Sequence, residues 1–157
     1  MDADDKLAVA ETVYRYATAV DRRDWVLYRS LFADVVTVDF SSYDPDLPPR
    51  QIRAEAWVAG VVPLFTGFAA THHSMTNPLA TVDGDTAAIT MYVRAHHVFD
   101  PTDAASWYTI GGYYDDTLVS VDGRWLLTAV RLTVTWRAGD PHVMELARAE
   151  GNRRLAG

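Results

Sequence analysis

The sequence predicts an α+β fold in which helices come first and a strongly curved antiparallel sheet follows. Three observations carry this reading. Apolar residues recur at helical spacing from Leu7 through Ala10, Val13, Tyr14 and Ala17 to Val20. Two Asp-Gly pairs, Asp83-Gly84 and Asp122-Gly123, each separate long runs rich in β-branched and aromatic residues, the pattern of two-residue hairpins. The helical and extended patterns are segregated along the chain instead of alternating, which marks α+β and not a doubly wound sheet. The length of 157 residues suits one domain spanning 1–157, and 49% hydrophobic residues with 22% charged supply a sizeable core.

A first helix runs from about Asp4 to Val20, its start favoured by the acidic pair Asp4 and Asp5 against the helix dipole. Asp21 and Asp24 flank a short turn, with Asp24 suited to cap a second, shorter helix that holds Trp25, Tyr28, Leu31 and Phe32. Val35 to Phe40 alternates as a strand, and the prolines at 45, 48 and 49 make Ser41–Arg50 a loop. Ile52 to Leu64 forms a third helical stripe, so the helices occupy about 4–64. Four strands then cover about 70–137: Ala70–Val82, Thr86–Phe99, Trp107–Val121 and Arg124–Arg137. A helical tail over 140–155 closes the chain and has a partner or the sheet face to pack on. Strands this long curl, and helices laid across the concave side turn the sheet into a cone whose interior is a small-molecule pocket.

Composition excludes several function classes. A net charge of −7 without any Lys/Arg cluster argues against nucleic-acid binding; Arg22-Arg23 and Arg153-Arg154 read as solvated pairs. The absence of cysteine removes disulfides, thiolate catalysis and thiolate metal sites. The acidic start lacks the basic and apolar regions of a signal peptide, and no apolar run reaches membrane-spanning length, so a cytoplasmic protein is expected. Lysine is represented by Lys6 alone, a bias towards arginine of the kind GC-rich bacterial coding gives. No glycine-rich fingerprint precedes a helix, no nucleophile elbow is present, and no metal-ligand spacing is found, so no cofactor or metal is expected.

The residues able to carry chemistry are few. Asp21 follows the apolar stripe of the first helix, and His72 and His73 lie side by side on a strand, where they point to opposite faces. His96 and His97 repeat that arrangement on the next strand: Tyr92, Arg94 and His96 share one face, and Val93, Ala95 and His97 share the other. A carboxylate that holds an imidazole gives a general base working near neutral pH. Tyr16, five residues before Asp21, offers a hydroxyl to a developing enolate or sits as a core tyrosine. Phe40, Trp57, Met75, Tyr92, Tyr113 and Trp136 are candidates to line a pocket for a flat or apolar substrate.

The segments Tyr16…Asp21-Arg-Arg-Asp24-Trp25…Leu31-Phe32-Ala-Asp34, Thr71-His-His73…Asn77, Gly111-Gly-Tyr-Tyr-Asp115 and Asp122-Gly-Arg-Trp125 carry a resemblance over nearly the whole chain up to about Trp136. The sequence resembles the nuclear transport factor 2-like (NTF2-like) superfamily, and within it the polyketide-cyclase-like (SnoaL-like) and scytalone-dehydratase-like enzymes. That resemblance implies a cone of the cystatin-like α+β barrel type. It selects His73 over His72 as the partner of Asp21, because related dehydratases and a dehydrochlorinase place an Asp–His dyad there. It selects His96 as a second active-site histidine and gives Tyr16 a catalytic role. It also implies dimers or trimers formed through the outer sheet face, for which Val93 and Val130 are outward candidates.

One departure stands out: Phe40 falls where scytalone dehydratase has a substrate-polarising tyrosine, and the serine and asparagine that also serve there are replaced near Gly112 and Tyr114. Scytalone dehydration itself is therefore not expected. What is expected is a cofactor-free lyase, isomerase or cyclase working by general acid–base chemistry through Asp21 and His73 on a small molecule bearing a carbonyl or hydroxyl group. The alternative is a non-catalytic ligand-binding or interaction module on the same fold.

Overall fold

The computed structural model of the protein describes residues 3–157. Helix α1 (Ala3–Arg22) and the short α2 (Trp25–Ser30) lead into strand β1 (Phe32–Asp39). A four-residue strand β2 (Arg50–Arg53) precedes α3 (Ala54–Gly67). Strands β3 (Ala70–Asp83), β4 (Thr86–Val98), β5 (Trp107–Val121) and β6 (Arg124–Gly139) follow, and α4 (Val143–Ala156) ends the chain. The sheet has six strands in the order β2-β1-β6-β5-β4-β3; it is curved but open, and does not close into a barrel. No helix among the described residues is long and apolar enough to cross a membrane.

The first helix buries Val9, Ala10, Val13, Tyr16, Ala17 and Val20 against the sheet, while Leu7 and Tyr14 of the expected stripe are exposed. Asp24 caps α2 by accepting a hydrogen bond from the Leu27 N–H at 2.9 Å. Phe32 belongs to a strand and not to the second helix: β1 begins there and runs parallel to β6, with β2 antiparallel on its outer edge. The strand β2 lies where the proline-rich loop was expected to end. Four residues on a sheet edge are too few to carry an alternating signal.

In the main meander β3 to β6, an irregularity in β3 governs which of that strand's side chains reach the interior. From the Asp83-Gly84 turn the pairing proceeds regularly to Leu79 opposite Thr90, and then shifts so that Thr76 lies opposite Tyr92. Asn77 and Pro78 thus oppose Met91 alone, a β-bulge, with Asn77 at φ 57° in the left-handed region that asparagine tolerates. Pro78 has no N–H to donate, which is admissible because β3 is an edge strand. Past the bulge, Thr71, His73 and Met75 pair with His97, Ala95 and Val93. Directly paired residues share a face, so His73 points inward together with Ala95, and His72 points outward together with His96.

The C-terminal helix packs chiefly on α3, and through Val143 and Ala147 it also meets Tyr108 and Ile110 on the sheet. Glycines set this contact: a Cβ at Gly67 would lie 1.6 Å from the Ala147 carbonyl oxygen, and one at Gly151 would lie 1.7 Å from the Pro63 carbonyl oxygen. Gly60, also within α3, has nothing within 4 Å of its Cβ position. The same substitution should therefore act with opposite sign on the same helix pair. Gly151→Ala should lower stability in urea unfolding by about 1–3 kcal/mol as α4 is forced off α3. Gly60→Ala should raise it by up to about 1 kcal/mol through helix propensity.

Candidate active site

A cavity of about 330 Å³ lies between α1, α3, α4 and the inner face of the sheet. Its floor is formed by buried groups, among them Tyr16, Val20, His73, Ala95 and His97, and its mouth by exposed ones, Leu47, Arg50, Gly60 and Arg148. The walls between are largely aromatic. Phe40 and Trp57 stand together with ring centroids 5.3 Å apart, and Phe65 faces both His73 at 5.8 Å and His97 at 6.1 Å.

Asp21 and His73 meet at the floor. Asp21, in the last turn of α1, accepts three hydrogen bonds from β3: from His73 Nδ1 at 2.7 Å, from the His73 backbone N–H at 2.8 Å and from Thr71 Oγ1 at 2.9 Å. Burial pushes the Asp21 carboxyl upward, but the hydrogen bonds and the charge of His73 outweigh it, and the net shift is below the ordinary 3.8. An ionised carboxylate only accepts, so Nδ1 carries the proton and Nε2 of a neutral His73 keeps its lone pair. The His73 side chain is 6% exposed and lines the cavity.

Arg23 holds this junction together from behind. It sits just past α1 at φ 55° and donates to the Asp21 carbonyl at 2.6 Å, to the Phe65 carbonyl at 3.1 Å and to the Phe68 carbonyl at 3.3 Å. A single planar guanidinium thereby ties the end of α1 to the end of α3 and the residues leading into β3. Residue spacing alone gave Arg22-Arg23 as a solvated pair; only Arg22 is exposed, and Arg23 is half-buried.

The second histidine of the cavity is His97, not His96. β4 keeps one inward parity along its whole length, through Ile89, Met91, Val93, Ala95 and His97, and the bulge at Asn77-Pro78 in β3 brings His73 opposite Ala95 on that face instead of opposite His96. His96 lies on the outer face, with Nδ1 2.6 Å from Thr109 Oγ1 and its ring against Trp107. His73, Asp21 and His96 consequently do not converge, and no group of three metal-ligating side chains is found among the described residues. His97 donates Nδ1–H to the Tyr108 carbonyl at 3.0 Å, and its ring stands edge-on to His73 at 5.7 Å. Burial, with His73 adding to it, lowers His97 to about 3, so its ring is neutral with a lone pair on Nε2.

Tyr16 lines the cavity at the centre of a tyrosine cluster: its hydroxyl is hydrogen-bonded with those of Tyr28 and Tyr114, and Trp57 Nε1 donates to Tyr28 at 3.1 Å. Burial raises all three phenols, so they remain donors throughout the neutral range. Asp116, two residues beyond Tyr114 on the same inward parity, is buried with its Oδ1 unpartnered, and burial raises its carboxyl well above the usual range. In the sequence Tyr28 reads only as part of the second helix and Tyr114 only as a replaced position, because which face of each element turns inward is set by long-range packing; Asp116 carries no local signal.

Of the expected lining residues, Phe40 and Trp57 reach the cavity. Met75 packs against the core without lining it. Tyr92, Tyr113 and Trp136 are on the outer face: Tyr92 and Tyr113 are cross-strand neighbours, and Trp136 covers Gly111, where a Cβ would lie 1.9 Å from its ring. Val93 and Val130, expected to point outward, are buried within.

A family model described as the SnoaL-like domain matches residues 1–131. The chain belongs to the SnoaL-like family. A crystal structure of the Kfla4162 protein from Kribbella flavida superposes on this SnoaL-like chain with a TM-score of 0.83, at 31% identity over 94% of this chain and 99% of that one. A scytalone-dehydratase-like protein from Novosphingobium aromaticivorans superposes with a TM-score of 0.73 at 22% identity, covering 85% of each chain, a likeness of fold. Among curated proteins, the dehydratase cfoI of Aspergillus candidus is 27% identical over 94% of this chain and 91% of its own length. The SnoaL-like chain thus shares the NTF2-like fold with these structures and has a relative named as a dehydratase.

The state of His97 has a consequence for stability. Between pH 6.5 and about 3 the unfolded chain binds a proton at this histidine that the folded chain does not, so stability rises with pH across that window. Asp21 acts in the same sense lower down: its contribution is present above its ordinary value of 3.8 and lost as the pH falls through the depressed one. Urea midpoints measured from about pH 6.5 to 4.5 should fall with a slope that includes up to about 1.4 kcal/mol per pH unit from His97. In His97→Leu that part of the slope should vanish; equal slopes would show that His97 accepts a proton in place.

Proposed function

We propose that this SnoaL-like protein is a cofactor-free proton-transfer enzyme of the dehydratase or isomerase type, with His73 as the base. The observation that carries the reading is the three-bond seat of Asp21 on β3, which turns the imidazole of His73 to the cavity. Proton abstraction beside a carbonyl would turn the His73–Asp21 pair into an imidazolium–carboxylate pair, stabilised at 2.7 Å. The electron pair left on carbon moves to the carbonyl oxygen as an enolate, where Tyr16, still protonated and hydrogen-bonded to two neighbours, is the donor.

Return of the same proton decides the outcome. Given to a hydroxyl on the next carbon as its C–O bond breaks, it releases water and leaves a double bond. Given to another carbon of the enolate system, it moves the double bond. His97 fits a second role. Its Nε2 accepts a hydrogen bond and, being neutral, has no proton to give, so it suits holding a substrate hydroxyl. Phe40 has no hydroxyl, so an enolate donor has to come from the cavity's tyrosines, of which Tyr16 stands at the centre of the cluster. The relative named dehydratase cfoI supports dehydration as the first outcome to examine.

Loss of α-protons into D₂O, followed by ¹H NMR on a panel of small aromatic ketones and hydroxyketones, tests the base without the full reaction. The wild-type protein should wash out α-protons of at least one member, and His73→Ala should slow this by about 10²–10⁴-fold with the fold unchanged by circular dichroism. Asp21→Asn should lie between the two. Exchange that is absent in the wild type, or undiminished in His73→Ala, would move the protein to the ligand-binding class.

A further inference from the structure

The cavity wall admits formal charge at two positions, and both are positive. Arg50 opens β2 and Arg148 lies in the middle of α4; both are exposed where the cavity meets solvent. Among the described residues that line the cavity there is no aspartate or glutamate. Neither arginine has an ion pair with a carboxylate among the described residues. Arg148 donates once, to the Gly60 carbonyl at 3.2 Å, and the rest of its guanidinium fork remains available.

This arrangement runs against the charge of the protein as a whole, which is −7. An acidic surface repels anions, and two unpaired guanidiniums beside a low-dielectric cleft reverse that locally and focus the field on the entrance. At the floor the available groups are neutral or paired: His97, the tyrosine hydroxyls, and His73 with its carboxylate turned away on Asp21. The walls are apolar and aromatic. The cavity therefore has a polar end, whose carboxylate is sequestered behind His73 and Thr71, an apolar middle and a cationic end.

We infer that the ligand of this cavity is an organic anion: a flat, largely apolar body that reaches the floor, and one anionic group, such as a carboxylate, held at the mouth between Arg50 and Arg148. The inference deepens the function proposed above by naming the substrate class, and it rests on that reading only for the word substrate; the binding geometry is independent of it. The anionic group supplies orientation, since charge-assisted hydrogen bonds at the mouth fix which end of the molecule meets His73.

A matched pair of fluorescent probes tests this without turnover. 1-Anilinonaphthalene-8-sulfonate and N-phenyl-1-naphthylamine share one aromatic skeleton and differ by the sulfonate. The wild-type protein should bind the sulfonate at least about tenfold more tightly at low ionic strength, a preference that shrinks as salt is raised. The doubly substituted Arg50→Gln/Arg148→Gln protein should lose that preference while its affinity for the neutral probe stays within about twofold. Arg148→Lys in the Arg50 background should retain most of it. Ala95→Phe, which fills the floor of the cavity, should displace both probes and so locates them.

Equal affinities for the two probes in the wild type would overturn the inference. So would an anion preference that survives the double substitution, or sulfonate binding that survives Ala95→Phe. Because no chemistry is read, a protein inactive in α-proton exchange yet selective for the anion would retain the inference and lose only the catalytic reading.

Discussion

Asn77 and Pro78 standing opposite Met91 is the constraint on which the rest of the interior depends. A strand has a period of two, so one extra residue exchanges its inward and outward faces for everything beyond it. On the turn side of the bulge Ala80 and Val82 pair with the inward residues Ile89 and Ala87; on the far side Thr71, His73 and Met75 take that role. Without the extra residue His72 would point into the cone and the partner of Asp21 would be on the outside. A left-handed asparagine and a proline on an edge strand are what make the insertion sustainable.

The second dependence is the junction of α1 with β3. Asp21 reaches the strand through both its carboxylate oxygens, and Arg23 closes the back of the same joint on three carbonyls. A carboxylate that binds a backbone N–H and a ring nitrogen of one residue fixes that residue in position and in rotamer at once. His73 therefore does not depend on a ligand for its orientation, and the tautomer follows from the acceptor-only chemistry of the carboxylate.

How much of this was legible in the sequence follows from what each feature depends on. Helix α1, the four long strands and both Asp-Gly turns rest on local patterns, and they stand where the patterns put them to within a few residues. The assignment of Asp24 as a cap rests on one side chain and the next turn of backbone, and it too was readable. Asp21 and His73 came together through resemblance and strand parity, not through spacing, since a long stretch of chain separates them. His97 in place of His96, the outward placement of Tyr92, Tyr113 and Trp136, and the inward placement of Val93 and Val130 all depend on cross-strand register. On β3 the inward face is set by a bulge, and an Asn-Pro pair inside an extended run carries that meaning only in hindsight; on β4 and β5 the alternation was readable but which of its two faces turns inward was not. The strand β2 and the parallel pairing of β1 with β6 are long-range in origin, and no local propensity encodes them.

The glycine contact between α3 and α4 has a consequence of another kind. The stretch matched to the SnoaL-like domain ends at residue 131, whereas α4 spans Val143–Ala156. Asp21, His73, Tyr16 and His97 lie within that stretch, and Met144 and Arg148, which border the entrance, lie beyond it on a helix docked through bare backbone at Gly67 and Gly151. A side chain at either glycine would press on that docking and shift the gatepost, Arg148, relative to the floor.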